Sequence, residues 1–263
     1  MAESEAAKDE TEGFALGTQT LLRGLFLLEC VGAGMSDIRT LSGRLGTPRT
    51  TTHRTLANLI KAGYLRQPGP GRYILGPKII ALGKQALEQR PLLSVARPFL
   101  EALARQTGDT VHLGVREGAE VFYLDKIPGS RGLEMRSRVG SCMPVASTGV
   151  GRALLLDLDA PEWEALYARA IEMKQRQGLS VLLPPWADYA RDMAAHAHRG
   201  WVSDLEENEL GVRCVAAPVR DRTGEIIAAI SVASAVPYMP LDRMASLGGE
   251  VLRCAHDISA ILD

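Results

Sequence analysis

The side chains best suited to contact a ligand lie in the first half of a helix expected at residues 48–62. Five of them can reach phosphates or base edges, and these are Arg49, Thr50, Thr51, His53 and Arg54. Arginine can bind guanine through two hydrogen bonds, and threonine hydroxyls can bond phosphate oxygens. The opposite side of the helix carries Leu56, Leu59 and Ile60 at the spacing of an apolar face. This pattern predicts a recognition helix for the major groove of double-stranded DNA.

A shorter helix, a tight turn and a hairpin surround this segment in the sequence. Ser36 is expected to cap the shorter helix, Gly46 to end it, and Thr47 to cap the recognition helix. Residues 64–75 predict two short strands around a tip rich in proline and glycine, with Arg72 placed to meet phosphate or the minor groove. The prediction is a winged helix-turn-helix. The alternative is an αα-hairpin in an ordinary core, with Arg72 a solvated charge.

Charge is distributed unevenly along the 263 residues, although the net charge is only −1. Residues 1–17 carry one lysine and five acids, whereas residues 18–76 carry eight Lys or Arg against two acids. A basic block next to a mildly acidic body indicates a polyanion-binding module beside a domain with another task. The acidic first segment has few apolar groups, so it is expected to be a disordered tail.

The cysteine spacing and the lengths of the apolar runs indicate the cellular compartment of the protein. Cys30, Cys142, Cys214 and Cys254 lie far apart and have neither metal-ligand nor redox-motif spacing. Neither a signal peptide nor an apolar run of membrane-spanning length is recognisable. We therefore expect a cytoplasmic protein with no membrane contact and no disulfides.

The rest of the chain predicts an α+β domain. Hairpin strands are expected at 110–115 and 120–127, a third strand at 133–139, and three further strands at 201–203, 212–219 and 225–233. Helices flank these strands, and the connections are hairpins rather than βαβ units, which indicates an antiparallel sheet.

The domain organisation follows from these patterns. We expect a tail at 1–17, a winged helix-turn-helix at 18–76, a linker helix at 77–90 and a second domain at 91–263. The leucine-rich first helix and the linker helix offer more apolar surface than one small domain can cover, which favours a homodimer.

Several motifs in combination are similar to those of one known family. In the first domain they are 48–56, 63–65 and 73–77; in the second they are 144–153, 199–207, 211–218 and 224–231. On these stretches the chain resembles the IclR-type bacterial transcriptional regulators over nearly its whole length. The resemblance implies a winged-helix domain and an effector-binding domain with a GAF-like sheet. It also implies dimers, often paired into tetramers, that bind operator DNA and respond to a small molecule. Whether binding represses, as in a repressor, or activates stays open at this point.

An effector site is expected where distant segments of the second domain meet. Gly149 and Val150 precede a helix, so their N–H groups can face a carboxylate. Asp204 follows a strand and can accept a ligand hydroxyl. The resemblance adds Cys214 and Ser231, which match pocket positions of the family. Each assignment has an alternative. Gly149 and Val150 can form a tight turn without a ligand, Asp204 can be an acid in a turn, and Cys214 can be a small buried hydrophobic residue.

The class of effector is expected to be a small organic acid. Residues 136–140, Arg-Ser-Arg-Val-Gly, are similar to those of family members that sense sugar acids, although a surface loop with two arginines explains them as well. Ala233 stands where the family frequently has a second serine, which removes one hydroxyl from the expected pocket.

An enzyme is the competing functional class. His196 and His198 are close in sequence but face different sides of a helix, and no Gly-x-Ser-x-Gly elbow, P-loop or zinc signature occurs. We therefore expect no catalytic residue, no cofactor and no metal. The alternative function is a small-molecule-converting enzyme, or a ligand-binding interaction module, with an accessory winged helix.

Overall fold

The computed structural model describes residues 18–132 and 135–262. The chain divides after Gln89 into two compact units. The segment 1–17, for which a disordered tail is expected, lies outside the described residues. No helix among the described residues is long and apolar enough to cross a membrane.

The first unit contains the predicted helix-turn-helix and its wing. Its elements are α1 (Gln19–Gly32), α2 (Ile38–Leu45), α3 (Arg49–Lys61), β1 (Leu65–Gly69), β2 (Arg72–Leu75) and α4 (Pro77–Glu88). Leu27, Leu41 and Leu56, one from each of the first three helices, are fully buried and meet in one core. The strands pair antiparallel, with Leu65 opposite Leu75. The winged helix-turn-helix prediction is therefore confirmed.

Two predicted helix caps differ from the structure. The N-cap of α2 is Asp37, whose Oδ1 accepts the backbone N–H of Thr40 at 2.9 Å. Ser36 instead accepts the N–H of Tyr73 through its carbonyl oxygen, which ties it to the wing. Helix α3 begins after Pro48, and the hydroxyl of Thr47 bonds the buried Thr52 hydroxyl at 3.0 Å rather than a backbone N–H.

The second unit is an α+β domain, as predicted. Its elements are α5 (Pro91–Thr107), β3 (Thr110–Glu117), β4 (Glu120–Ile127), β5 (Cys142–Pro144), α6 (Gly149–Ala153), α7 (Ala160–Arg176), α8 (Trp186–Arg199), β6 (Val202–Leu205), β7 (Val212–Arg220), β8 (Ile226–Ala235) and α9 (Leu241–Ile261). Within the described residues, six strands form one antiparallel sheet in the order β5-β4-β3-β8-β7-β6.

The sheet lies between two layers of helices. Leu100 of α5 and Val251 of α9 pack with Ile230 of β8 in one core. On the other face, Tyr189 of α8 packs with residues of α6 and α7 and with Ala216 of β7. Both faces are therefore covered, which explains why the middle of β8 is buried without alternation.

The third strand expected at 133–139 is wrong for the part that the structure describes. Residues 135–139 form no strand, and the segment that pairs with β4 is Cys142–Pro144, with Val121 opposite Met143. The reason lies in local contacts: Lys126 Nζ donates to the carbonyl oxygens of Met135 and Ser137, so this segment is bound by a side chain rather than by a ladder.

Helix α9 lies very close to the side chain of Trp201 at Gly248 but not at Gly249. Alanine substitutions at these two adjacent glycines can therefore be compared. A Cβ at Gly248 would overlap the indole ring of Trp201, whereas at Gly249 the nearest group is Arg253 Nη1 at 3.6 Å. We expect Gly248→Ala to destabilise the second unit by about 1–3 kcal/mol through overpacking. Gly249→Ala is expected to stabilise it by up to about 1 kcal/mol through helix propensity.

Urea unfolding followed by tryptophan fluorescence checks this, because Trp163, Trp186 and Trp201 all belong to the second unit. Equal effects of the two substitutions would contradict a close approach that is specific to Gly248.

Candidate functional site

The exposed face of α3 carries the side chains predicted to contact DNA. Arg49, Thr50, His53 and Arg54 are exposed, and Thr51 is half-buried. The helix contains no acidic residue, so nothing on it opposes the approach of a phosphate backbone. Its other side is fixed to the core through Leu56, which is fully buried. The geometry is therefore that of a helix held by one face and open on the other.

The wing adds a second exposed basic surface to the same unit. Arg72 is exposed at the start of β2, next to the tip at Gly71, whose φ of +70° favours glycine. Arg66 on β1 is also exposed, and the sequence analysis did not select it. The exposure of Arg66 could have been predicted from the sequence, because a strand beside a hairpin tip places alternate side chains in solvent.

The second unit contains a cavity of about 590 Å³. All five residues predicted for the effector site line it, although they are spread over more than 80 positions of sequence: Gly149, Val150, Asp204, Cys214 and Ser231. They come from the start of α6 and from β6, β7 and β8. The volume lies in the range of small-molecule sites.

Asp204 is a buried carboxylate in the cavity wall. Its Oδ1 accepts the backbone N–H of Glu207 at 2.9 Å, and the Cys214 thiol donates to Oδ2 at 3.9 Å. Burial raises the pKa of Asp204, while the nearby positive charge of Arg152 and the N–H of Gly149 act against that rise. Asp204 can thus accept hydrogen bonds from a ligand when ionised.

Cys214 forms part of the wall rather than a reactive centre. Burial raises the pKa of its thiol well above the ordinary value, with the negative charge of Asp204 adding to the rise. The thiolate is therefore disfavoured, and with it nucleophilic chemistry. Gly149 must be glycine here, because a Cβ would overlap the sulfur of Cys214.

His112 and Ser231 form a neutral polar pair in the same cavity. They lie opposite each other on β3 and β8, with Ser231 Oγ 3.4 Å from His112 Nδ1. The other ring nitrogen, Nε2, lies 2.7 Å from Ser137 Oγ. Burial, followed by the positive charge of Lys126, lowers the pKa of His112 to about 3, so the ring is uncharged at neutral pH.

Sequence reasoning missed several polar residues of the wall, among them His112, Tyr123 and Lys174. His112 and Tyr123 lie on strands that were predicted. Helices cover both faces of the sheet, so the sequence pattern does not show which side chains face the cavity. Lys174 belongs to an amphipathic helix, where a lysine normally indicates solvent, yet it is 1% exposed. Ala233, Met135 and Met143 also line the cavity, so the absent hydroxyl at 233 is a property of the site.

Arg136 also contributes to the wall, but at an exposed position. Its side chain is 85% exposed and forms an ion pair with Glu209 at 3.1 Å. Arg136 is therefore both a solvated charge and a residue of the cavity rim.

A buried ion network lies directly behind Asp204. Arg152 is fully buried, forms an ion pair with Glu207, and places Nη2 3.9 Å from Asp204 Oδ1 and 3.1 Å from the carbonyl oxygen of Ser203. Burial raises the pKa of Glu207 to about 7 despite Arg152. Burial lowers the pKa of His196, next to the same network, to about 3. The network fixes the strand that carries Asp204.

Within the residues that the structure describes, no group of three or more His, Cys, Asp or Glu side chains is arranged to hold a metal ion. The cavity instead offers backbone N–H groups, hydroxyls, an imidazole, the carboxylates of Asp204 and Glu209, the ammonium group of Lys174 and the guanidinium group of Arg136. These are groups that bind and orient a polar small molecule.

Both units match models of one protein family. The family model "Bacterial transcriptional regulator IclR C-terminal" matches residues 84–260, and the model of the IclR helix-turn-helix domain matches residues 20–69. The chain is 30% identical over 251 residues to the transcriptional repressor IclR of Escherichia coli K12, covering 92% of this chain and 89% of that protein.

Two solved structures share the fold. The Thermotoga maritima IclR has a TM-score of 0.73 at 24% identity, covering 92% of this chain and 98% of the other. An IclR homologue from Microbacterium hydrocarbonoxydans, solved with 4-hydroxybenzoate, has a TM-score of 0.76 at 23% identity, covering 92% and 98%. Since the matches extend over the helix-turn-helix and the domain that contains the cavity, the chain belongs to the IclR family of bacterial transcriptional regulators and is not an enzyme.

Proposed function

We propose that this chain is a repressor that binds operator DNA through α3 and the wing and is controlled by a small organic acid in the cavity. The observation that carries the proposal is the cavity, which unites five sequence-distant residues in a domain attached to a DNA-binding unit. The direction of control follows the Escherichia coli relative, which is a repressor. A regulator of this kind acts in the cytoplasm, where its operator is.

The proposed DNA contacts divide into two groups. Arg49, Thr50, Thr51, His53 and Arg54 lie on α3 and would reach base edges and phosphates of the major groove. Arg72 on the wing would bind phosphate or enter the minor groove beside it.

The proposed effector contacts follow from the chemistry of the wall. Backbone N–H groups of Gly149 and Val150 would donate to the carboxylate of the acid. Asp204 would accept from a ligand hydroxyl, Ser231 would bond a hydroxyl or carbonyl group, and Cys214 would form part of the wall. Sugar acids are the first candidates, since hydroxyl-bonding groups line the cavity on several sides. A family relative of the same fold holds 4-hydroxybenzoate, which is also an acid with a hydroxyl.

The acid would act by favouring one conformation of the protein. A ligand shifts an equilibrium only by its difference in affinity for the two states, so a tenfold change in operator affinity requires about 1.4 kcal/mol. That size is within reach of one or two charge-assisted hydrogen bonds.

We expect Arg54→Ala to weaken operator binding by about 1–3 kcal/mol if the arginine reads a base. An electrophoretic shift assay with the upstream intergenic DNA measures this. Lys61→Ala, at the far end of the same helix, is the matched control and should change the affinity much less. The DNA proposal is wrong if neither this DNA nor selected oligonucleotides bind at moderate salt.

We expect a homodimer, paired into a tetramer, because large apolar side chains of the first unit are exposed. Leu21 is 63% exposed and Ile80 is 76% exposed, and Leu25, Leu82 and Leu87 are also exposed. A dimer would present two recognition helices to a near-palindromic operator. Sedimentation at micromolar concentration tests this, and a single species of monomer mass, 28.4 kDa, would contradict it.

We expect Ser231→Ala to weaken acid binding by about 0.5–1.5 kcal/mol through the loss of one hydrogen bond, and to leave ligand-free operator binding unchanged. Calorimetry with gluconate, pyruvate and 4-hydroxybenzoate, followed by the shift assay, measures both. Ser246→Ala, at an exposed position of α9, is the control for the chemistry of the substitution. Equal losses of acid and DNA binding would show that Ser231 supports the fold instead.

A further inference from the structure

A lysine is buried in the cavity wall without a carboxylate beside it. Lys174, near the end of α7, is 1% exposed, and its Nζ donates to the backbone carbonyl oxygen of Asn208 at 3.3 Å. No carboxylate oxygen of the described residues lies within ion-pair distance of that Nζ. Burying an ammonium group without an anion is costly, so the structure contains a cation that an anionic ligand would stabilise.

Arg136 at the rim of the cavity and Arg152 in the network behind Asp204 already have anionic partners. Arg152 is paired with Glu207, and Arg136 is paired with Glu209 at the exposed rim. Burial lowers the pKa of Lys174, and the negative charge of Asp204 acts against this at longer range. Lys174 is therefore the cation of the wall whose charge is available to a ligand.

Lys174 and the proposed carboxylate site belong to separate elements. The N–H groups of Gly149 and Val150 come from α6, whereas Lys174 comes from α7 and contacts the loop at Asn208. The cavity of about 590 Å³ exceeds what a two- or three-carbon acid requires. A longer ligand can reach both places.

We propose that Lys174 binds a second anionic group of the effector, so that the effector is a dicarboxylic acid, sugar diacids included. The inference rests on the proposed function, because it takes one carboxylate to be held at Gly149 and Val150. Lys174 would be the residue that confers selectivity for diacids over monoacids of the same length.

The cavity can tolerate the added negative charge. Arg152 and Lys174 supply two positive charges, while Asp204 and Glu207 are the acids nearest to them. Burial raises the pKa of Asp204 and raises that of Glu207 to about 7. The two positive charges reduce the repulsion between a second anionic group and the acids of the wall.

Calorimetry on the full chain with matched acids tests the proposal. The probes are glutarate against pentanoate and glucarate against gluconate, which differ in the second carboxylate. We expect at least one diacid to bind the unchanged chain about tenfold tighter than its partner, or more, as a charge-assisted hydrogen bond allows. Lys174→Met should abolish this preference, and Lys174→Arg should retain most of it.

Arg169→Met is the matched control, because it removes an exposed and paired cation from the same helix as Lys174 but outside the cavity wall. It should leave the preference for diacids unchanged. Circular dichroism and thermal melting establish that each variant is folded, and Lys174→Gln replaces Lys174→Met if the latter does not fold.

The outcomes separate this inference from the proposed function. If monoacids bind but no diacid is preferred, or if the preference survives in folded Lys174→Met, the role of Lys174 is wrong while the acid sensor stands. If gluconate, pyruvate, 4-hydroxybenzoate and both diacids all fail to bind, the acid sensor is wrong and the second carboxylate site falls with it.

Discussion

The register of β6, β7 and β8 is the constraint on which the cavity depends. Asp204 lies opposite Cys214, and Cys214 lies opposite Ala233, so a carboxylate, a thiol and a methyl group form one row across three strands. Two residues along β8, Ser231 lies opposite His112 of β3. A shift of one residue would turn each of these side chains to the other face of the sheet, and the cavity would lose its polar wall.

Buried charge fixes this row in place. Arg152 lies on the five-residue helix α6, forms an ion pair with Glu207 and bonds the carbonyl oxygen of Ser203 in β6. Removing one partner of a buried ion pair leaves an uncompensated charge, so α6 and β6 are held together strongly. The same contact brings Gly149 at the start of α6 against Asp204 and Cys214, where only a glycine fits.

The two units use polar residues in opposite ways. On α3, Arg49, Thr50, His53 and Arg54 are exposed, as the proposed contact with an operator, a large external ligand, requires. In the second unit His112, Lys174 and Asp204 are buried around a cavity, where the proposed small acid would gain affinity from groups that water screens little. The two proposed sites, one on the surface and one in a cavity, would each suit the size of its ligand.

The sequence by itself determined the helix-turn-helix, the wing, the α+β class of the second unit and five residues of the cavity. These follow from local signals such as apolar periodicity, glycine and proline positions and charge distribution, together with motif resemblance. Tertiary structure alone decided that Asp37 rather than Ser36 caps α2, that Cys142–Pro144 pairs with β4, and that Lys174 is buried in the cavity wall. The last two depend on partners distant in sequence. The Asp37 cap is a local contact with Thr40, and the distant partner there is Tyr73, whose N–H donates to the carbonyl oxygen of Ser36. Local pattern indicates what a residue can do, and only packing decides what it meets.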